Sequence, residues 1–163
     1  MIRTVAAIIL LFFAIGTKAQ QFDKENDNRV GMKAVNFTFE NGNMKGDLYS
    51  LIDSCQSNVL VFFYSPDCED CQKTRKKLAE SKSINRLVES GQLQVLAVAP
   101  EVDMQAWEEY QKEMPDKWIN SYCVDCTPIT KSYIWTVPTL FLIGRDKTVL
   151  KRDFKHRERN KYN

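Results

Sequence analysis

Histidine is almost absent from this chain: of 163 residues only His156 is one, and it lies in a polar tail. A cysteine–histidine nucleophile pair in the core needs an imidazole within reach of the thiol, so that chemistry is excluded. Missing too is any apolar run long enough to cross a bilayer as a helix, which takes roughly 20 residues. The longest run, Val5 to Ile15, stops well short of that. Arg3 ahead of it and the small-residue pattern Thr17-Lys18-Ala19 behind it read as a signal peptide, residues 1–19, cleaved near Ala19. A charge imbalance is also lacking. The formal net charge is +2, and residues 1–19 hold Arg3 and Lys18 but no acid, so the chain from Gln20 onward is neutral. A neutral chain gives no reason to invoke nucleic acid. No internal repeat or low-complexity tract is present.

Cysteine is present: Cys55, Cys68, Cys71, Cys123 and Cys126. Export to the periplasm would place these thiols where disulfides form and persist. The roughly 144 residues after cleavage make one ordinary domain, large enough to bury a core without disulfide stapling. Five is an odd number, so at least one thiol is free or pairs with another chain.

Residues 20–33 are polar and aperiodic, the pattern of a flexible leader. Val35 to Phe39 alternates and then meets Asn41-Gly42-Asn43, a strand followed by a turn. Leu48 to Ser54 suits a short helix. Val59 to Tyr64 is a continuous apolar and aromatic run, as expected of a strand covered on both faces. Cys71 to Ser90 reads as helix, with Gly91 as its stop. Leu93 to Ala99 is a second buried strand. Asp103 can cap a helix carrying Trp107, Tyr110 and Met114 on one face, and Trp118 to Tyr122 is a short strand. Thr127 and Pro128 read as cap and first position of a helix through Trp135. Thr139 to Ile143 and Thr148 to Phe154 close the order as an antiparallel hairpin around Gly144-Arg145-Asp146. Strands alternating with helices imply parallel units with right-handed crossovers, hence an α/β fold with a mixed sheet. The tail, 155–163, is basic and has no apolar face for a terminal helix.

Cys68-Glu69-Asp70-Cys71 stands where a buried strand gives way to a helix. Unpaired amides and the positive end of the helix dipole favour a thiolate there. Cys68, at the outer edge, suits the attacking thiol, and Cys71, inside the first turn, suits the resolving one. A static disulfide and half of a metal site are the other readings. Glu69 and Asp70 oppose a thiolate while Lys73, Arg75, Lys76 and Lys77 favour it, so the direction of electron transfer stays open.

Phe63-Tyr64-Ser65-Pro66-Asp67-Cys68-Glu69-Asp70-Cys71 together with Trp135-Thr136-Val137-Pro138-Thr139 resembles the thioredoxin-like superfamily, and within it the exported TlpA-like thiol–disulfide oxidoreductases. The resemblance covers about residues 34–154. It implies a central mixed sheet flanked by helices, with the segment 103–122 as an αβ insertion ahead of the proline helix. It also implies a cis peptide before Pro138, with Pro138 packed on Cys68–Cys71 and the Val137 backbone binding the substrate chain. The strand 118–122 is expected at the sheet edge beside 93–99. Implied as well are thiol or disulfide groups of proteins as substrates, a redox partner in the membrane or periplasm, and no cofactor. Three features depart from the family: Asp67 where tryptophan is usual, Phe62 where thioredoxin carries a buried acid, and no terminal helix. Glu101 or Asp103 could replace that acid. Peroxiredoxins place proline seven residues before the reactive cysteine; here Val61 holds that position.

Cys123-Val124-Asp125-Cys126 repeats the spacing after another parallel strand, so both pairs should face one sheet edge. It reads first as a local structural disulfide, then as a redox relay with Cys68–Cys71, and last as half of a four-cysteine metal site. Cys55 reads as a small buried hydrophobe or a third redox thiol. The expected function is thiol–disulfide exchange on proteins through Cys68 and Cys71. The competing one is a non-catalytic binding module held by disulfides or zinc.

Overall fold

The structure, a computed structural model, describes residues 28–133 and 136–153. The expected signal peptide, Trp135 and the tail 155–163 lie outside them. Among the described residues no helix is long and apolar enough to cross a membrane.

Seven strands form one mixed sheet. In chain order they are β1 (Thr38–Glu40), β2 (Lys45–Asp47), β3 (Asn58–Phe63), β4 (Leu93–Ala99), β5 (Ile119–Tyr122), β6 (Thr139–Ile143) and β7 (Val149–Asp153). Across the sheet the order is β2-β1-β5-β4-β3-β6-β7. The three central strands β3, β4 and β5 run parallel, while β6 and β7 return antiparallel beside β3. Helices are α1 (Leu48–Cys55), α2 (Glu69–Ala79), α3 (Lys82–Glu89), α4 (Met104–Tyr110) and α5 (Thr127–Ser132).

The apolar runs of β3 and β4 feed both faces of the sheet, as their lack of alternation predicts. Val59, Val61, Phe63, Leu96 and Val98 join Leu48 and Ile52 of α1 and Ile129 of α5 in one buried layer. Phe62, Tyr64, Val95, Ala97 and Ala99 face the other way, against Cys71 of α2 and Trp107 and Tyr110 of α4.

Several expectations need correction. The strand at 119–122 lies beside β4 but is not the sheet edge, because β1 pairs with it through Glu40 and Tyr122 and β2 lies beyond. The cause is the turn at Asn41-Gly42-Asn43. The Asn41 side-chain oxygen accepts from the Met44 amide at 2.8 Å, and Gly42 takes a φ of +83°. The chain thus folds back into a hairpin. The helix expected over 71–90 is two helices, because the Ser81 hydroxyl accepts from the Ile84 amide and starts α3 afresh. The last helix begins one residue earlier than read, with Cys126 as its cap and Pro128 inside its first turn. Of the segment expected to be a flexible leader, the described part, 28–33, is anchored. Asn28 is buried, donates to the Ser132 carbonyl at 2.9 Å and accepts from the Val35 amide at 2.8 Å. The Gly31 amide donates to the Val149 carbonyl, and the Val149 amide donates to the Met32 carbonyl, both at 2.9 Å. Single side-chain-to-backbone bonds of this kind leave no periodic trace in a sequence. After β7 no helix follows among the described residues.

Candidate active site

The site begins where β3 ends. Tyr64 continues the β3 ladder by donating its amide to the Val98 carbonyl at 3.1 Å, and Ser65 and Pro66 then turn the chain into α2. Cys68 is the N-cap of α2: its sulfur accepts from the Cys71 amide at 3.1 Å, one of the unpaired donors of the first turn. The Gln72 side chain donates to the Pro66 carbonyl at 3.0 Å and fixes the turn from inside.

Cys68 and Cys71 are joined as a disulfide, with their Cα atoms 5.1 Å apart. Cys68 is half-buried, whereas Cys71 is sealed against Phe62 and Tyr64. A nucleophile from solvent therefore reaches Cys68 first. The peptide bond between Val137 and Pro138 is cis, and the Val137 carbonyl oxygen lies 3.9 Å from the Cys68 sulfur. Val137 also packs against both buried layers, so the loop entering β6 is held at the pair. Residues distant in sequence, 68, 71 and 137, thus come together at one sheet edge.

The charges around the pair largely cancel. Lys73 bridges Glu69 at 2.7 Å and Asp70 at 3.8 Å on the exposed face of α2. The hydrogen bond from Lys73 holds the Glu69 carboxyl below its usual range. Both partners are solvent-exposed, so the energetic weight of this pairing is small.

Among the described residues no carboxylate replaces the acid whose place Phe62 takes. Among the described residues, the buried polar groups include no Asp or Glu. Asp103 spends its side chain accepting from the Ala106 amide at 3.0 Å as the cap of α4, and Glu101 is exposed. The buried charge near Cys71 is instead a cation, Arg75, one helical turn further along α2 and only 8% exposed. Arg75 Nε donates to the Tyr110 hydroxyl at 3.1 Å, and its other nitrogens reach the carbonyl and carboxylate of Glu113. Tyr110 stacks on Tyr64 and Tyr64 on Phe62, with ring centroids 5.4 and 5.5 Å apart. The sequence places Arg75 among the basic residues that favour a thiolate but hides its burial, because it sits in a run of basic residues; its spacing of four from Cys71 was the available signal.

The second pair, Cys123 and Cys126, is also disulfide-bonded, with Cα atoms 5.5 Å apart. It follows the end of β5, on the sheet edge that carries Cys68. Among the described residues no group of three or more His, Cys, Asp or Glu is placed to hold a metal ion. Cys55 is a free thiol, half-buried at the end of α1, where it accepts from the Ser57 hydroxyl at 3.1 Å. That position precedes β3, whereas Cys68 follows it, so Cys55 stands at the opposite end of the sheet.

A family model described as thioredoxin-like matches residues 56–149. Among solved structures, the chain is similar to a thioredoxin-like protein from Bacteroides caccae, at 30% identity and TM-score 0.71, over 83% of this chain and 49% of that one. The chain thus spans about half the length of that relative. It is also similar to the C-terminal domain of an uncharacterized protein from Bacteroides fragilis, at 28% identity and TM-score 0.70, over 83% of this chain and 97% of that one. The fold is shared with the thioredoxin domain of a thiol-disulfide oxidoreductase from Bacteroides vulgatus, at 19% identity and TM-score 0.67, covering 77% and 89% of the two chains. No curated protein sequence matches the chain. A family match over more than half of the chain, on a sheet that brings a CxxC disulfide to a cis-proline loop, leads to one conclusion: this chain belongs to the thioredoxin-like family.

Proposed function

We propose that this chain is an exported thiol–disulfide oxidoreductase that exchanges disulfides with protein substrates, Cys68 attacking and Cys71 resolving. The observation that carries the reading is the asymmetry of the pair: Cys68 is half-buried at a helix cap while Cys71 is fully enclosed behind it. In the reduced pair, the Cys71 amide that now points at the Cys68 sulfur stabilises a thiolate there. That thiolate attacks a substrate disulfide, and one substrate sulfur leaves as a thiol. Cys71 then attacks Cys68, releasing the second substrate sulfur and restoring the disulfide. The Val137 main chain, beside the Cys68 sulfur, offers an incoming extended segment a backbone partner. A redox partner in the periplasm or its membrane returns the pair to its starting state. The signal segment 1–19 supports export.

Trapping tests the assignment of roles. With a disulfide-bonded protein such as insulin, Cys71→Ser should accumulate a mixed disulfide on Cys68, read by mass spectrometry. Cys68→Ser should form no adduct and reduce insulin at the uncatalysed rate. Equal trapping by both variants, or by neither, would sink the proposal and favour a binding module with static disulfides.

A further inference from the structure

The second CxxC is laid out in the opposite sense to the first. At Cys68–Cys71 the accessible sulfur belongs to the N-terminal cysteine. At Cys123–Cys126 the N-terminal member is enclosed, with Cys123 7% exposed, and Cys126 is the half-buried one. Between them Val124, 54% exposed, and Asp125 stand in solvent, so the pair occupies a surface loop that another molecule can reach.

We infer that Cys123–Cys126 is a second thiol–disulfide exchange centre, opened by a dithiol that attacks Cys126 and expels the enclosed Cys123. The bond has little to do as a staple. It closes a ring of four residues, among the smallest constraints a cross-link can place on an unfolded chain. Both ends of that ring are already tied without it. The Cys123 amide donates to the Ala99 carbonyl at 3.1 Å, and the Cys126 carbonyl accepts from the Thr130 amide at 2.9 Å.

The surroundings suit a reduced state as well as an oxidised one. Both sulfurs lie against a single acceptor, the Pro100 carbonyl oxygen. A disulfide has no hydrogen to give that oxygen, whereas a thiol has one. Reduction would therefore give that oxygen a donor from within the loop.

Strand order keeps the two centres apart. β4 lies between β3 and β5, which separates the strands leading to the pairs by two ladder spacings, roughly 10 Å. This spacing favours exchange with an external dithiol over direct hand-off from Cys68–Cys71. In the exchange, one donor thiolate bonds to the Cys126 sulfur, the Cys123–Cys126 bond breaks, and Cys123 leaves as a thiolate that takes up a proton. The second donor thiol gives up its proton and attacks the donor sulfur of the mixed disulfide, freeing Cys126. Two electrons and two protons pass to the pair, and the donor ends as a disulfide.

The test uses the full chain carrying Cys55→Ser, Cys68→Ser and Cys71→Ser, so failure of the first site's assignment leaves it untouched. Equilibrated natively across a dithiothreitol redox series, the remaining pair should titrate as a two-electron couple by thiol trapping, with the far-ultraviolet circular dichroism unchanged. Adding Cys123→Ser leaves Cys126 alone, which should take up glutathione from its disulfide about tenfold faster than the lone Cys123 of the Cys126→Ser counterpart, accessibility setting the order. Should these variants fold poorly, peptide-level mass spectrometry of the unaltered chain over the same series reads each pair separately. A pair that is reduced only when the chain is denatured, or a faster Cys123, would overturn the inference.

Discussion

Tyr64 keeps a hydroxyl inside an aromatic layer through a bond of 2.6 Å to the Asn120 side-chain oxygen. Burial pushes its phenol well above the ordinary tyrosine range, and the Asn120 bond offsets only part of that. A group whose folded value is raised contributes stability below its unfolded value, near 10, and loses it as pH climbs toward the folded one. Tyr64→Phe leaves the Asn120 oxygen without this donor and should cost about 1–3 kcal/mol at neutral pH, measured by urea denaturation. The position of Cys71 against the ring should persist, because the stack is unchanged. At this scale the sequence was informative about sulfur and silent about the burial of Arg75. A CxxC at a strand end declares itself by spacing. A buried arginine looks like its solvated neighbours Lys76 and Lys77 until Tyr110 and Glu113 are seen to meet it.

Among the elements, α1 is the clearest case of a helix set by its cap. The Asp47 carboxylate accepts from the Tyr49 and Ser50 amides at 3.0 and 3.1 Å and from the Ser50 hydroxyl at 2.6 Å. Partial burial raises its pKa, yet these bonds and one from Asn36 together outweigh burial and leave the carboxyl below its ordinary value of 3.8. A lowered folded value means the stabilisation is present above the unfolded value and disappears as pH falls through the folded one. Asp47→Ala should therefore cost about 1 kcal/mol at pH 7, a difference that shrinks as the pH falls below the ordinary carboxyl value of 3.8 and through the lowered folded one. Urea titrations across that range check it. The strands β3 and β4 were legible because a run buried on both faces has no alternation to hide. β2 was not, because Lys45-Gly46-Asp47 has no apolar residue. It is a strand through pairing with β1, where Gly46 lies beneath the Phe39 ring and a Cβ would come within 3.3 Å of it. Arg75 adds a tie between elements, fastening the helix of the CxxC to the end of α4 and the turn after it.

For the molecule as a whole, the two layers of aromatic and aliphatic side chains carry the fold, and the disulfides carry little of it. Each bond closes four residues, worth about 2 kcal/mol in unfolded-chain entropy, against about 3 for a loop of fifteen. The fully reduced protein should keep a single cooperative urea transition, shifted by no more than the sum of those two contributions. A reduced chain without such a transition would show that the cysteine pairs hold the architecture. Global topology was readable from the alternation of strands and helices. The place of β5 was not, since the hairpin that covers it is long-range pairing by a segment with weak local signal.

Asn28 lies at one end of the described domain and Arg152 at the other, and the Arg152 guanidinium donates to the Asn28 carbonyl at 3.4 Å. The polypeptide path is therefore nearly a closed circuit, with entrance and exit side by side. A domain wired in this way can hang from a neighbour by either end, or be spliced into a longer chain, without its strands being rethreaded.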